Sequence, residues 1–257
     1  MNDTLDKSRV LITAGASGIG RAMADAFDTA GYEVWVTDVD EAALAALPSH
    51  FHGHRADASS EADVKSVFAA LEQAGGLDAL CANAGIAGPT AAIEDVTLAD
   101  WQKCLSVNLE GAFLAAKYAA PLMKTAGKGA IVVTSSTAGI YGYPFRAPYA
   151  AAKWAMVGLT KTLAMELGPY GIRANVICPG SVEGPRIEGV LEREAATKGM
   201  TRDQVYEGYA AGTSMRSFIE AEDIANMAVF LASPQSRLVS GQVISVDGHT
   251  ENPNPKI

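Results

Sequence analysis

Short runs of consecutive apolar residues alternate along the chain with longer segments whose apolar positions recur at helical spacing. RVLIT precedes an Ala-rich segment from Ile19 to Ala30, YEVWVTD a helical pattern from about Glu41, and HFHGHRAD one from about Glu61 to Gln73. LDALCAN leads into a long helical stretch around Trp101 to Met123, GAIVVTSS into a helix carrying Tyr149 and Lys153, and IRANVICPG into a polar segment. A helix from Glu220 to Ala232 and a last strand, QVISVDG, complete the pattern. Continuous apolar runs are what strands buried on both faces look like, and parallel strands need crossover connections rather than tight turns. The alternation therefore predicts a doubly wound α/β fold: a parallel seven-stranded sheet with helices on both faces, in three layers.

The polar segment from Gly184 to Ser217 breaks the rhythm, being helical in pattern but without a strand. Placed after the sixth strand, it reads either as a substrate lid, the reading adopted, or as an irregular surface excursion. No Pro/Gly/Ser-rich linker or composition shift divides the 257 residues, so a single domain over 1–257 is expected. Hydrophobic residues make up 49% and charged residues 19%, with no apolar run near the roughly 20 residues of a membrane span, so no membrane role is expected. A net charge of −9 argues against the clustered cations that nucleic acid requires. The N-terminus, MNDTLDKSRVLIT, shows no secretory pattern, and the scattered Cys81, Cys104 and Cys178 lack metal-ligand spacing. Cytoplasmic residence, no metal, and small molecules as partners are the expectations.

Three local patterns carry chemistry. In PYAAAKWAMVGL, Tyr149 and Lys153 are four residues apart on one helical face, where an ammonium favours the phenolate and lowers the tyrosine pKa. Directly after the first strand, TAGASGIG (Thr13 to Gly20) opens a helix; glycines there let the backbone approach a pyrophosphate, to which the helix N-terminus offers unpaired N–H groups. The second strand ends in Asp38, where a carboxylate accepts both hydroxyls of an adenosine ribose and repels a 2′-phosphate. With neither Ser17 nor Val39 basic, NAD rather than NADP is the expected cofactor.

In this order the patterns resemble the short-chain dehydrogenase/reductase family, over nearly the whole chain from Val10 to Gly248, and the resemblance implies a Rossmann fold. The family's glycine-rich motif is similar to Thr13–Gly20, placing Gly15, Ser17, Gly18, Ile19 and Gly20 at the cofactor. Its adenine-contacting acid resembles Asp57, followed by Ala58, and its NNAG resembles Ala82, Asn83, Ala84 and Gly85. Its catalytic set resembles Asn108, Ser136, Tyr149 and Lys153, with Ser136 preferred to Ser135 because it precedes Tyr149 by the family's usual thirteen residues. Its PG turn resembles Pro179 and Gly180, leading to Val182 near the nicotinamide. Three positions depart from the pattern: Ala14 stands for the first glycine, Ala82 for the first asparagine, and Gly184 for a threonine that contacts the carboxamide, leaving Ser181 or the Val182 backbone for that role.

The resemblance implies NAD-dependent interconversion of a secondary alcohol and a ketone, with Tyr149 as general acid/base, and a homotetramer. Tyr149 and Lys153 also count among the cofactor contacts, Lys153 through the nicotinamide ribose, while Asn108 holds a water linking Lys153 to solvent. Charged residues near the site, Arg146 before the catalytic tyrosine and Arg186 in the lid above all, suggest a small polar substrate: a polyol, sugar or hydroxy acid. For Arg193 and Glu194 the alternative is a solvated helix face. An NAD-binding redox sensor or scaffold without turnover is the contrasting function class, and dehydration or epimerisation a third.

Overall fold

The computed structural model describes residues 7–252. The start of the N-terminal segment read for a secretory pattern lies outside the described residues. Seven strands form one parallel sheet in the order β3-β2-β1-β4-β5-β6-β7: β1 (Arg9–Thr13), β2 (Glu33–Asp38), β3 (His52–Arg55), β4 (Ala79–Ala82), β5 (Gly129–Thr134), β6 (Ile172–Pro179) and β7 (Val243–Val246). The order reverses between β1 and β4, and at such a switch point the loops after neighbouring strands diverge to leave a crevice.

Side-chain alternation along β1 sends Val10 and Ile12 to one face and Leu11 to the other, which separates two cores. On the first face, Val10, Ile12, Val34 and Val36 meet α1 (Gly18–Thr29), here through Met23 and Phe27. After β2, α2 (Glu41–Ala45) is a short helix capped by Asp40, whose carboxylate accepts from Ala42 N and Ala43 N at 2.9 and 3.0 Å. On the second face lie α3 (Glu61–Gln73), α4 (Leu98–Leu105), α5 (Gly111–Ala126) and α6 (Ala147–Leu167), with Leu71, Ala115, Met123 and Met156 buried against Leu11, Leu80 and Ile131. The chain then forms α7 (Pro185–Lys198), α8 (Arg202–Ala211) and α9 (Ala221–Ala232), and α9 returns to pack beside α1 through Ile224, Ala228 and Leu231.

One element differs from the sequence expectation. The stretch around Trp101 to Met123 is not one continuous helix: a π-helical turn over Ser106–Glu110 separates α4 from α5. Its cause is local, because Asn108 Nδ2 donates to Cys104 O at 2.8 Å and so competes for the carbonyl that an α-helical N–H would use. Residues 184–217 contain two helices with their own small core of Leu191, Ala195, Val205 and Tyr209. Thr201 opens α8 with a capping box, its hydroxyl accepting from Gln204 N at 3.1 Å while the Gln204 side chain accepts from Thr201 N at 2.9 Å. No helix among the described residues is long and apolar enough to cross a membrane.

Candidate active site

A cleft of about 690 Å³ opens over the C-terminal ends of the strands at the switch point. At one end the turn from β1 into α1 forms its floor. Ser17 precedes α1 without a side-chain cap, so the first amides of the helix are left for another acceptor. The turn is crowded on its inner side: a Cβ at Gly20 would lie 2.1 Å from Ala14 O, so only glycine fits. Asn83 Nδ2 holds the turn from β4, donating to Thr13 O at 3.2 Å and Ala14 O at 3.3 Å, and Thr13 Oγ1 accepts from both Asn83 N and Ala84 N at 2.9 Å.

Ser17, Gly18, Ile19, Gly20, Asp38, Asp57, Ala58, Asn83, Ala84 and Gly85 all line the cleft. Gly15 does not. A Cβ there would meet Val36 Cγ1 at 2.9 Å and Ile12 O at 3.0 Å, so Gly15 packs against the strands behind the wall, and Ala14 takes the lining position. Ala14 adopts φ +51°, the left-handed conformation that the expected glycine would favour. Asp38 is half-buried at the tip of β2, its two oxygens accepting from Ala16 N at 3.2 Å and Asp40 N at 3.1 Å. Asp57 is locked in a turn by Ser59, whose N–H and hydroxyl donate to Oδ1 at 2.9 and 2.6 Å.

At the other end, β5 delivers Ser135 and Ser136, and the first turns of α6 deliver Tyr149 and Lys153. The two serines part ways. Ser135 Oγ donates to Lys153 O at 2.9 Å in the interior, whereas Ser136 lines the cleft, near enough to Tyr149 to favour its phenolate, with its Oγ accepting from Ala138 N at 3.1 Å. Lys153 Nζ lies 5.6 Å from the Tyr149 ring centre and donates to Thr134 O at 2.8 Å. Burial pushes the Tyr149 phenol up, but the cations of Lys153 and Arg186, the Ser136 hydroxyl and the Arg146 cation together outweigh it, so the net shift is downward. Burial holds the Lys153 ammonium below its ordinary value, against the pull of Tyr149.

Asn108 is fully buried behind the wall rather than on it. Its Nδ2 donates to Ile86 O at 3.1 Å as well as to Cys104 O, while its Oδ1 is buried without a partner. A Cβ at Gly85 would meet that oxygen at 2.5 Å and Lys153 Nζ at 3.6 Å, so all three groups share one space. Pro179, Gly180, Ser181 and Val182 follow β6 along the cleft. Gly184, where a threonine was expected, has φ +131°, a conformation that a threonine would not adopt without strain.

Arg146 and Arg186 both reach the cleft. Arg146 is buried, donates from Nη2 to Ala87 O at 3.0 Å, and sets its guanidinium carbon 4.8 Å from the Tyr149 ring centre. Other charges of the polar segment serve its own packing: Glu188 pairs with Arg202, and buried Glu194 accepts from Tyr209 Oη at 2.7 Å and meets Lys198 Nζ at 2.5 Å. Arg193 is exposed. Tyr143, in the segment 141–146 expected to border the site, is on the lining, which also includes Val39, Glu183, Ile187, Val190 and Tyr209, residues that sequence reasoning did not assign to the site. Spacing within α7 would have suggested Ile187 and Val190, one turn apart and adjacent to Arg186; Tyr209 enters from α8 and carries no local signal. Among the described residues no group of three or more His, Cys, Asp or Glu side chains is placed to hold a metal ion, and the three cysteines are buried thiols.

The structure fits a dinucleotide on its own geometry: an uncapped helix N-terminus, a glycine that no side chain can replace, and a carboxylate at the tip of the neighbouring strand, in one cleft with a tyrosine and lysine. Residues 13–249 match a family model described as enoyl-(acyl carrier protein) reductase. The chain is 34% identical over 250 residues to a D-beta-hydroxybutyrate dehydrogenase of Rhizobium meliloti, covering 93% of this chain and 96% of that protein. The crystal structure of levodione reductase superposes with a TM-score of 0.88 at 34% identity, covering 95% of this chain and 96% of the other. That of NAD+-bound xylitol dehydrogenase superposes with a TM-score of 0.89 at 28% identity, covering 94% and 98%.

Proposed function

The chain belongs to the short-chain dehydrogenase/reductase family of oxidoreductases, and we propose that this member interconverts a secondary alcohol and a ketone with NAD, on a small polar substrate. The observation that carries the reading is the convergence of Ser136, Tyr149 and Lys153 at the far end of a cleft whose near end is shaped for a dinucleotide.

Asp38 is the group that would hold the adenosine ribose, the amides of α1 the pyrophosphate, and Pro179 to Val182 the nicotinamide edge; Asp57 and Ala58 border the adenine. When bound, the nicotinamide supplies a two-electron hydride acceptor or donor. Tyr149 takes the hydroxyl proton of the alcohol during oxidation and returns it during reduction. Its lowered pKa brings phenol and phenolate closer to balance near neutrality, where proton transfer in both directions is efficient. Ser136, beside the same phenol, donates to the substrate oxygen and stabilises charge developing there. Lys153 maintains the positive potential and reaches the ribose in place of the Thr134 carbonyl it holds here. The unpartnered Oδ1 of Asn108 is a buried acceptor beside that ammonium, suited to anchoring a water in a proton path.

The single-domain reading, the lid role of residues 184–217, cytoplasmic residence and a homotetramer belong to the same proposal. The lid reading is supported by α7 and α8 supplying one wall of the cleft through Arg186, Ile187, Val190 and Tyr209. A sensor without turnover is disfavoured by a phenol whose pKa is lowered by three cations, an arrangement that binding alone does not require. The test is formation of reduced cofactor from NAD, and separately NADP, with purified protein and a panel of polyols, sugars, hydroxy acids and secondary alcohols. Turnover with NAD in preference to NADP supports the reading; preference for NADP, or conversion of a substrate without net reduction of cofactor, contradicts it.

A further inference from the structure

Arg146 and Arg186 crowd the reacting phenol with more positive charge than the proton chemistry needs. Lys153 is accounted for by its place beside Tyr149. Arg146 is 7% exposed, yet among the described residues it has no carboxylate partner: Nη2 donates to Ala87 O, the cation lies over the Tyr149 ring, and Nε is buried with no hydrogen bond. A guanidinium withdrawn from water without a counter-anion is costly, and the cost falls when an anion joins it. Arg186, in the first turn of α7, lines the same cleft and forms no hydrogen bond or ion pair among the described residues. It is nonetheless near enough for its field to act on Tyr149, Lys153 and Cys104.

The neighbouring charges do not offset these cations. Glu188 and Glu194 are taken by Arg202, Lys198 and Tyr209, although the field of Glu194 still reaches Tyr143, as that of Arg146 does. The acids that line the cleft are Asp38, Asp57 and Glu183. The first two belong to the adenosine end, and Glu183 accepts from Tyr206 Oη at 2.7 Å. Around Tyr149 the balance is therefore Lys153, Arg146 and Arg186 against Glu183.

We infer that the substrate is a carboxylate, a hydroxy acid interconverted with its keto acid, whose anionic end is bound by Arg186 and Arg146 while its carbinol oxygen meets Tyr149 and Ser136. This rests on the oxidoreductase reading and narrows it. Forked guanidinium donors match the two oxygens of a carboxylate, so an anionic end held by these cations would be fixed relative to the Tyr149 phenol. Neutral polyols and sugars would leave both cations unmatched.

The experiment compares 2-, 3- and 4-hydroxy acids with their primary amides as substrates in the presence of NAD, for wild type and Arg186→Gln. Arg186 is the position to change because it is exposed and forms no hydrogen bonds that folding would lose, whereas Arg146 also holds the Ala87 carbonyl. At least one acid should be preferred to its amide, and Arg186→Gln should lower kcat/KM for that acid by about 10- to 100-fold, shrinking the acid-to-amide ratio. Amides or neutral polyols used as well as the acids, with Tyr149→Phe abolishing both activities, would overturn this inference and leave the oxidoreductase reading intact. If no compound turns over, calorimetric titration of the enzyme–NADH complex with the matching keto acids decides it. Binding that Arg186→Gln weakens supports the carboxylate site, and no binding, or equal binding by the variant, refutes it.

Discussion

Replacing Ala14 with glycine should stabilise the protein, although it removes a methyl group. Ala14 holds φ +51° in the turn between β1 and α1, and cannot relax easily because Asn83 Nδ2 donates to its carbonyl oxygen and the next residue, Gly15, is wedged against Val36 and Ile12. An L residue in the left-handed region costs about 1–2 kcal/mol. Glycine removes that cost but returns about 0.5–1 kcal/mol of chain entropy to the unfolded state. The net gain is up to about 1.5 kcal/mol, which for a chain of this size raises the melting temperature by up to about 6 °C. Differential scanning calorimetry of both proteins at one concentration and scan rate reads it, and NADH titration should give affinities within a few-fold because the lining backbone keeps its shape. A lower melting temperature for Ala14→Gly would refute the strain argument and assign the Ala14 methyl a packing role.

Asp38→Asn keeps the shape of the side chain but removes the charge, so affinity for NAD should fall by about 10-fold or more while the NADP-to-NAD preference rises; unchanged preference in competitive kinetics would remove Asp38 from cofactor selection. Gly20→Ala would press a Cβ to 2.1 Å from Ala14 O and should abolish NADH binding at a stability cost of about 1–3 kcal/mol, whereas Gly18→Ala has open space and pays only for its φ of +51°. Equal behaviour of the two variants in a binding and melting comparison would contradict the crowded-turn account. Oxidation requires Tyr149 as phenolate, so kcat/KM should rise with pH and level off below the ordinary phenol value of about 10. Loss of a cation raises that pKa, so in Arg186→Gln the rising limb moves to higher pH; an unmoved limb would mean that another group titrates.

The architecture was legible because the central strands β1, β4 and β5 are apolar runs buried on both faces, and the strand-then-helix rhythm leaves a parallel sheet as the packing solution; the edge strand β3, His52–Arg55, is polar and mostly exposed and was read from the rhythm alone. Helix interiors near Asn108 were not legible: the interruption at Ser106–Glu110 comes from a side chain capturing a carbonyl one turn back, which apolar periodicity does not register. At the site, the spacing of Tyr149 and Lys153 and the position of Asp38 at a strand end placed those groups in the cleft before any coordinates did. Gly15, expected at the cofactor, is off the cleft lining and packs against Val36 and Ile12; a glycine that allows strand packing and one that allows a ligand's approach look the same in sequence, and the steric surroundings of each tell them apart. The surplus of charge around Tyr149 emerged only in three dimensions, since it depends on which charges are paired between α7 and α8 and on Arg186 being left to line the cleft.

Tyr149→Phe tests the central claim most directly, with turnover and NADH affinity measured on the same preparation. The account predicts that loss of one hydroxyl reduces turnover by at least about 100-fold, the usual range of general acid–base catalysis, while NADH affinity stays within a few-fold of wild type. Retained turnover in the variant would contradict the assignment of Tyr149 as the proton-transferring group and, with it, the mechanism built on this cleft.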